Sequence, residues 1–286
     1  MKALMDKRTI LDKIFADKKQ EVERQKNLKS VRDLEKQIAQ APAALNFSGS
    51  IWDDKVCLIA EIKRASPSAG ILTKTFNVES LAKTYAENGA SAISVLTESK
   101  YFQGSINDLV AAKEIALQYG IPTLRKDFVY DEYQLYETKA YKGDAVLLIV
   151  SMLKGNTLKN LIKEARNIWL QCVVEVHNSL ELSMALECGA EIIGINHRNL
   201  KTFKVDLAIS EQLVPLIPKE KLIVAESGIK NRNTVTYLAS MGVNAVLVGE
   251  AIITATDRVS KIKDLVNVKL HNRLTSASID NKTFTY

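Results

Sequence analysis

Five residues of this 286-residue chain have the types and placement for acid–base chemistry: Glu61, Lys63, Lys126, Glu175 and Glu226. Glu61 and Lys63 close the apolar run that starts at Val56. They are two residues apart, so on a strand they face the same side and Ile62 faces the other. Ser66, Pro67, Ser68 and Gly70 follow, turn formers that cannot continue the strand. An enclosed lysine can have its pKa lowered until it donates a proton near neutral pH, while a carboxylate serves as base. The same lysines would suit a Schiff-base aldolase. That chemistry leaves the surplus of carboxylates without a task.

Other polar residues stand at the same point of later apolar runs: Thr97 and Glu98, Lys126 and Asp127, Ser151, Glu175, Asn196, Glu226 with Ser227, and Gly249 with Glu250. Ionisable groups that end strand after strand are the mark of a catalytic face. Ser227-Gly228 and Gly249-Glu250 follow the last two runs, where glycine lets backbone N–H groups approach an anion and a helix start adds partial positive charge. A phosphate ester is the expected ligand of those turns. Asn196 could hydrogen-bond hydroxyls, Arg198 could hold a carboxylate by its planar fork, and Ser66 is expected to touch substrate. Tyr101 and Phe102 could line an aromatic pocket or pack beneath their loop. His197 alternates away from Asn196 and reads as structural; His177 reads as a loop hydrogen-bonder.

The elements that must position these groups are eight short apolar runs: Val56–Ile62, Ser91–Leu96, Ile121–Arg125, Asp144–Val150, Gln171–Val176, Glu191–Ile195, Lys221–Ala225 and Asn244–Val248. Stretches of helical periodicity separate them, several closed by a glycine of the helix C-cap type, such as Gly89, Gly120 and Gly189. Near-continuous apolar strands alternating with helices predict a closed parallel sheet, a (β/α)8 TIM barrel. An open doubly wound sheet is the alternative, but no Gly-x-Gly-x-x-Gly follows the first strand. Residues 8 to about 37 read as an additional N-terminal helical segment.

The composition is globular, with 47% hydrophobic and 25% charged residues. No apolar run reaches the roughly 20 residues of a membrane helix, and the start is too charged for a signal peptide. The net charge of +6 invites a nucleic-acid reading. Its location argues against one: residues 1–55 carry 12 Lys and Arg against 9 Asp and Glu, residues 261–286 carry 5 against 2, and residues 56–260 balance at 22 each. The lysines of the first helix read as a solvated face. Cys57, Cys172 and Cys188 form no close pair, so a reduced, cytoplasmic setting is expected. Neither they nor His177, His197 and His271 have metal-ligand spacing, and no cofactor is expected.

Taken together, IAEIKRASPSAG, YFQGS, LRKDF, DAVLLI, VVEVH, GINHRNL with TFKVDL, VAESGI and VLVGEAI resemble the indole-3-glycerol phosphate synthase family, in its order, from about residue 8 to 260. The N-terminal ILDKIFADKKQEV is similar to the family's extra helix over the barrel mouth. His197 stands where the family often has Asn or Ser, and KGDAVLLI replaces its usual GADAVLLI. The resemblance implies ring closure of 1-(2-carboxyphenylamino)-1-deoxyribulose 5-phosphate with loss of carbon dioxide and water. It implies Lys126 as general acid for closure, Glu175 as partner of the iminium-like intermediate, and Lys63 with Glu61 for the dehydration, their acid and base roles open. Asn196 and Glu226 would orient hydroxyls and the anilino nitrogen, Arg198 the anthranilate carboxylate, and Ser227, Gly228, Gly249 and Glu250 the phosphate. A phosphoribosylanthranilate isomerase would instead need a cysteine/aspartate pair at strand ends, which is not found. The expected layout is an N-terminal extension over the mouth (1–50), the catalytic barrel (51–266) and a polar, frayed tail (267–286). A monomer or weak homo-oligomer without membrane or nucleic-acid partners is expected, with substrate binding weakened by deletion of residues 1–45.

Overall fold

The computed structural model describes residues 9–271. Within them, eight parallel strands close into a barrel: β1 (Cys57–Ile62), β4 (Ala92–Leu96), β5 (Thr123–Lys126), β6 (Ala145–Ile149), β7 (Gln171–Val176), β8 (Ile192–Asn196), β9 (Leu222–Glu226) and β10 (Ala245–Val248), with β1 pairing both β10 and β4. Each lies within two residues of its expected bounds. The turn after β1 adds what the sequence reading lacks, a two-stranded antiparallel hairpin of β2 (Ala65–Ser66) and β3 (Gly70–Ile71).

Helices flank the barrel: α4 (Val78–Glu87), α5 (Ile106–Ala116), α6 (Glu132–Ala140), α7 (Gly155–Asn167), α8 (Ser179–Glu187), α9 (Ala208–Leu213), α10 (Arg232–Ser240), α11 (Glu250–Ile253) and α12 (Arg258–Leu265). Strand alternation splits the core in two. Leu58, Ala60, Ile93, Val146, Val174 and Ile223 face the helices. Ile59, Ala92, Leu124, Leu147, Val173 and Val224 fill the barrel. Continued two residues towards the strand ends, that interior set becomes Glu61, Ser94, Lys126, Ile149, Glu175 and Glu226. The period that packs the core therefore also aims the polar groups at one mouth.

The N-terminal segment divides into three helices: α1 (Ile10–Leu28), α2 (Val31–Ile38) and α3 (Phe47–Ser50). The single helix read over residues 8–37 breaks because Lys29 is extended and Ser30 N-caps α2, accepting from Asp33 N. α1 alone reaches the mouth, where Ile10, Leu11 and Ile14 line a cleft. Burying a side chain such as Ile14, 4% exposed, contributes about 1.5–3 kcal/mol. α2 packs against α6. α3 lies at the far end, with Phe47 fully buried beneath the interior core and Ser48 N donating to Gln171 Oε1 at the start of β7 (3.0 Å).

Asp144, just before β6, accepts at that far end from Lys113 Nζ (2.7 Å), Thr123 N (2.7 Å) and Leu45 N (2.8 Å). The aspartate of KGDAVLLI is thus a buried structural anchor remote from the mouth. Of the expected polar tail, residues 272–286 lie outside the described residues. Its described start is tied down, with Val56 N donating to Val268 O and Leu270 N to Asp54 O, each at 2.8 Å.

Candidate active site

The mouth opens into a cleft of about 960 Å³, at the upper end of the range for small-molecule sites. It is lined by all twelve expected site residues: Glu61, Lys63, Ser66, Lys126, Glu175, Asn196, Arg198, Glu226, Ser227, Gly228, Gly249 and Glu250. Four other strand-end residues do different work. Thr97 donates to Asp127 Oδ2 (2.6 Å), and Asp127 is bound to Arg125 (3.0 Å) and to Lys18 of α1 (2.9 Å). Glu98 accepts from the backbone of Lys100, Tyr101 and Phe102 and so shapes its loop, while Ser151 is exposed. Residue type and strand position could not separate these from the interior-facing groups; the face each presents did.

Lys126 Nζ lies 3.1 Å from Glu175 Oε2 and 3.1 Å from Glu226 Oε2. Burial alone would push this ammonium's pKa down. Glu175, Glu226 and Glu61 more than offset burial and hold it above the ordinary lysine value. The expected lowering is therefore reversed: Lys126 is a permanent cation before substrate arrives.

The two carboxylates part ways. Burial would raise Glu175, yet Lys126, His177 and Asn196 hold it well below the usual carboxylate range. Asn196 Nδ2 donates to its Oε1 (3.0 Å). Burial pushes Glu226 up to about 7, with Lys126 opposing and Glu175 and Glu61 adding to the rise. Its Oε1 is buried with no hydrogen-bond partner, an acceptor whose desolvation is uncompensated until a donor arrives.

Lys63 Nζ pairs with Glu61 Oε1 at 2.7 Å. Gly249 makes room for that pair: a Cβ there would sit 2.5 Å from Glu61 Oε1. Gly194 does the same for Glu226, whose Oε1 would be 2.6 Å from an added Cβ. Neither backbone is left-handed, so the demand is close approach and not conformation. Gly194→Ala is expected to fold, to push Glu226 off Lys126, and to lower kcat roughly tenfold. Steady-state kinetics with a circular-dichroism melt checks this; an unchanged kcat would show that the carboxylate moves freely.

Ser227 adopts a left-handed φ of 66°, a conformation that needs support in a non-glycine residue. Its Oγ donates to Asn196 Oδ1 (2.9 Å), and its carbonyl faces His197 Nδ1 (2.9 Å). A carbonyl only accepts, so Nδ1 carries the proton and Nε2 accepts from Ser210 Oγ (2.7 Å). Burial lowers the pKa of His197, consistent with that neutral tautomer. His197 is structural, as expected.

Arg198 sits on the rim, with Nη1 donating to Phe203 O (3.3 Å) and Nη2 3.9 Å from Glu250 Oε2. That pair is too long and exposed to hold the guanidinium firmly. Ser66 Oγ accepts from Ala69 N (3.2 Å) inside its hairpin turn. Phe102 lines the cleft beside Phe128, with ring centroids 6.1 Å apart, whereas Tyr101 donates its hydroxyl to Asp17 of α1 (2.6 Å). The two aromatics of YFQGS thus divide between pocket wall and strap. Phe128, Leu200 and Phe203 also line the cleft; the sequence assigns them no role of their own, because an apolar side chain carries no sign of which cavity it faces.

α1 is fastened above the cleft by the Lys18–Asp127 pair (2.9 Å), by Lys100 Nζ to Asp17 (2.7 Å) and by Lys26 to Asp131 (2.8 Å). Deleting residues 1–45 would also remove the Leu45 bond to Asp144, so deletion of residues 1–29 isolates α1. That truncation is expected to leave the barrel folded and to raise KM by about tenfold, equivalent to about 1.4 kcal/mol. An unchanged KM would exclude α1 from substrate binding.

Three comparisons with known proteins bear on this geometry. A model of the indole-3-glycerol phosphate synthase family matches residues 11–265. The chain is 43% identical over 258 residues to the indole-3-glycerol phosphate synthase of Dehalococcoides mccartyi, spanning 90% of this chain and 100% of that one. It is 46% identical over 257 residues to the enzyme of the same name from Caldanaerobacter subterraneus, spanning 90% and 97%. Among solved structures, thiamine phosphate pyrophosphorylase from Pyrococcus furiosus matches with a TM-score of 0.57 at 19% identity, over 73% of this chain and 93% of that chain. That last likeness is one of fold alone.

Proposed function

Because this chain belongs to the indole-3-glycerol phosphate synthase family, we propose that its cleft closes the indole ring of 1-(2-carboxyphenylamino)-1-deoxyribulose 5-phosphate, releasing carbon dioxide and water. The observation that carries the reading is the Lys126 ammonium, held 3.1 Å from both Glu175 and Glu226 at the base of the cleft. Lys126 protonates the ketone oxygen as the ring carbon bearing the carboxylate attacks the ketone carbon. The anilino nitrogen takes up positive charge, which ionised Glu175 stabilises. Carbon dioxide then leaves with its electron pair returned to the ring, and the charge is discharged.

The new hydroxyl departs as water, assisted by the Lys63–Glu61 pair. One member of that pair protonates the hydroxyl and the other accepts the ring proton. The unpartnered Glu226 Oε1 accepts from the anilino N–H, while Asn196 orients substrate hydroxyls. Arg198, loosely held, takes the anthranilate carboxylate until it is lost. The turns at Ser227-Gly228 and Gly249-Glu250 receive the phosphate, and Ser66 closes over the substrate. Among the described residues no cluster of His, Cys, Asp and Glu is arranged to hold a metal ion, and this sequence of proton transfers requires none.

No helix among the described residues is long and apolar enough to cross a membrane. We place the enzyme in the cytoplasm, as a monomer or weak homo-oligomer; a tight dimer in light scattering would contradict the second statement. Adding the carboxyphenylamino-deoxyribulose phosphate to the purified protein should produce growing indole fluorescence. No product from folded protein would overturn the proposed activity.

A further inference from the structure

His177 belongs to none of the roles above, yet it touches the central carboxylate. It stands two residues beyond Glu175, so alternation returns its side chain to the same face. Its Nε2 lies 3.2 Å from Glu175 Oε1, and its Nδ1 lies 2.9 Å from Glu181 Oε2. Glu181 is itself pinned. Its carboxylate accepts from His177 N (2.8 Å) and Asn178 Nδ2 (2.8 Å), and its backbone N–H donates to Asn178 Oδ1 (3.0 Å), the N-cap of α8. The helix start is thus a rigid anchor for one end of the imidazole.

We propose that His177 is a positioning residue, an imidazolium clamped between Glu181 and Glu175 that keeps the Glu175 carboxylate ionised and turned towards Lys126. The inference rests on the activity proposed above. A ring with a carboxylate at each nitrogen carries a proton on both. The Nε2–Oε1 approach is not aligned as a hydrogen bond, so the contact acts through charge and leaves Oε1 aligned on Asn196 Nδ2 (3.0 Å). Glu175 is then gripped from three elements: Lys126 of β5, Asn196 of β8 and His177 beyond β7. The charged groups around the clamp are Glu181 from α8, Lys126 from β5, Glu226 from β9 and, through Lys126, Glu61 from β1.

Lys126 alone cannot serve, because Glu226 shares it. With His177 removed, one ammonium would face two buried carboxylates. Glu175 would then be protonated more readily and turn away from the intermediate. Burial alone would lower the pKa of His177, but Glu175 and Glu181 push it up to about 10. A histidine raised in this way contributes stability that is full below its ordinary 6.5 and is lost as pH rises towards 10.

The test uses the full chain and two variants, His177→Gln and Glu181→Gln, with nuclear magnetic resonance of the imidazole and pH profiles of kcat. In wild type the His177 ring should stay protonated through pH 8, and in Glu181→Gln it should lose its proton at lower pH. His177→Gln should lower kcat about tenfold with KM changed less than threefold, and move up by about one pH unit the lower acidic limb of kcat that Glu175 sets, which is separate from the rise near 7 that Glu226 imposes on kcat/KM. Glu181→Gln should shift that limb in the same direction by less. A wild-type ring titrating near 6.5, or acidic limbs that coincide in all three proteins, would overturn the clamp. An inactive wild type whose His177 stays protonated would overturn the proposed reaction and with it the catalytic use of the clamp, while one that titrates near 6.5 would overturn the clamp by itself.

Discussion

Lys126→Ala is expected to lower kcat at least about a hundredfold, within the roughly 10²–10⁴ range for removal of a general acid. The expectation follows from where the ammonium sits and how it is held. It is half-buried, its side chain 15% exposed, 3.1 Å from each of two carboxylates, with its pKa held above the ordinary lysine value. Protonation before substrate binding is therefore complete across the neutral range, and the donor strength needed at the transition state must come from the substrate's developing alkoxide. The substitution also leaves Glu175 and Glu226 buried together without their shared cation. One of them should then take up a proton, because two adjacent buried carboxylates do not both ionise. KM should change less than kcat, since Lys126 serves the transition state more than the ground state. Indole fluorescence against time, for wild type and variant at saturating substrate, measures this. Equal rates would keep the reaction and transfer the acid role to Lys63.

Glu226→Gln is expected to lower kcat/KM by roughly 10²-fold above pH 7 and to abolish the pH dependence that Glu226 imposes. Burial pushes this carboxyl up to about 7, so in the free enzyme it changes charge within the working range. The ionised form bonds Lys126 and offers Oε1 to the anilino N–H; the protonated form weakens both. Activity should therefore rise as pH rises through about 7. Glutamine cannot ionise, so the variant's profile should be flat there; a wild-type rise that survives in Glu226→Gln would assign it to another group. Stability should run the opposite way. A carboxyl raised from 4.5 to about 7 on folding binds a proton that the unfolded chain releases, so stability falls as pH climbs between those values. Thermal melts between pH 5 and 7.5 should show that slope in wild type and a shallower one in Glu226→Gln.

The sequence by itself determined the barrel and the membership of its mouth. Apolar runs of period two, separated by helical periodicity, place Glu61, Lys126, Glu175 and Glu226 on the interior face without any knowledge of contacts, because alternation is a local property of the strand. The fold and the list of groups that meet were therefore readable from one chain. The break at Ser30 was readable in principle, since a serine followed three residues later by Asp33 is a local N-cap signal.

Only the tertiary structure decided what depends on distance between separate strands. Sequence reasoning expected burial to lower the Lys126 pKa; the structure surrounds it with Glu175, Glu226 and Glu61, and their summed field reverses the sign. Glu175 and Glu226, identical in type and both at strand ends, shift in opposite directions from the ordinary carboxylate value because one has three polar partners and the other a single cation and an empty acceptor. Asp127, next to the acid in sequence, is turned outward and spent on anchoring α1. His177 looks like loop decoration until Glu175 and Glu181 are seen on either side of it. Periodicity fixes which face a side chain takes, but electrostatics falls off with distance through space, and that distance exists only once the barrel has closed.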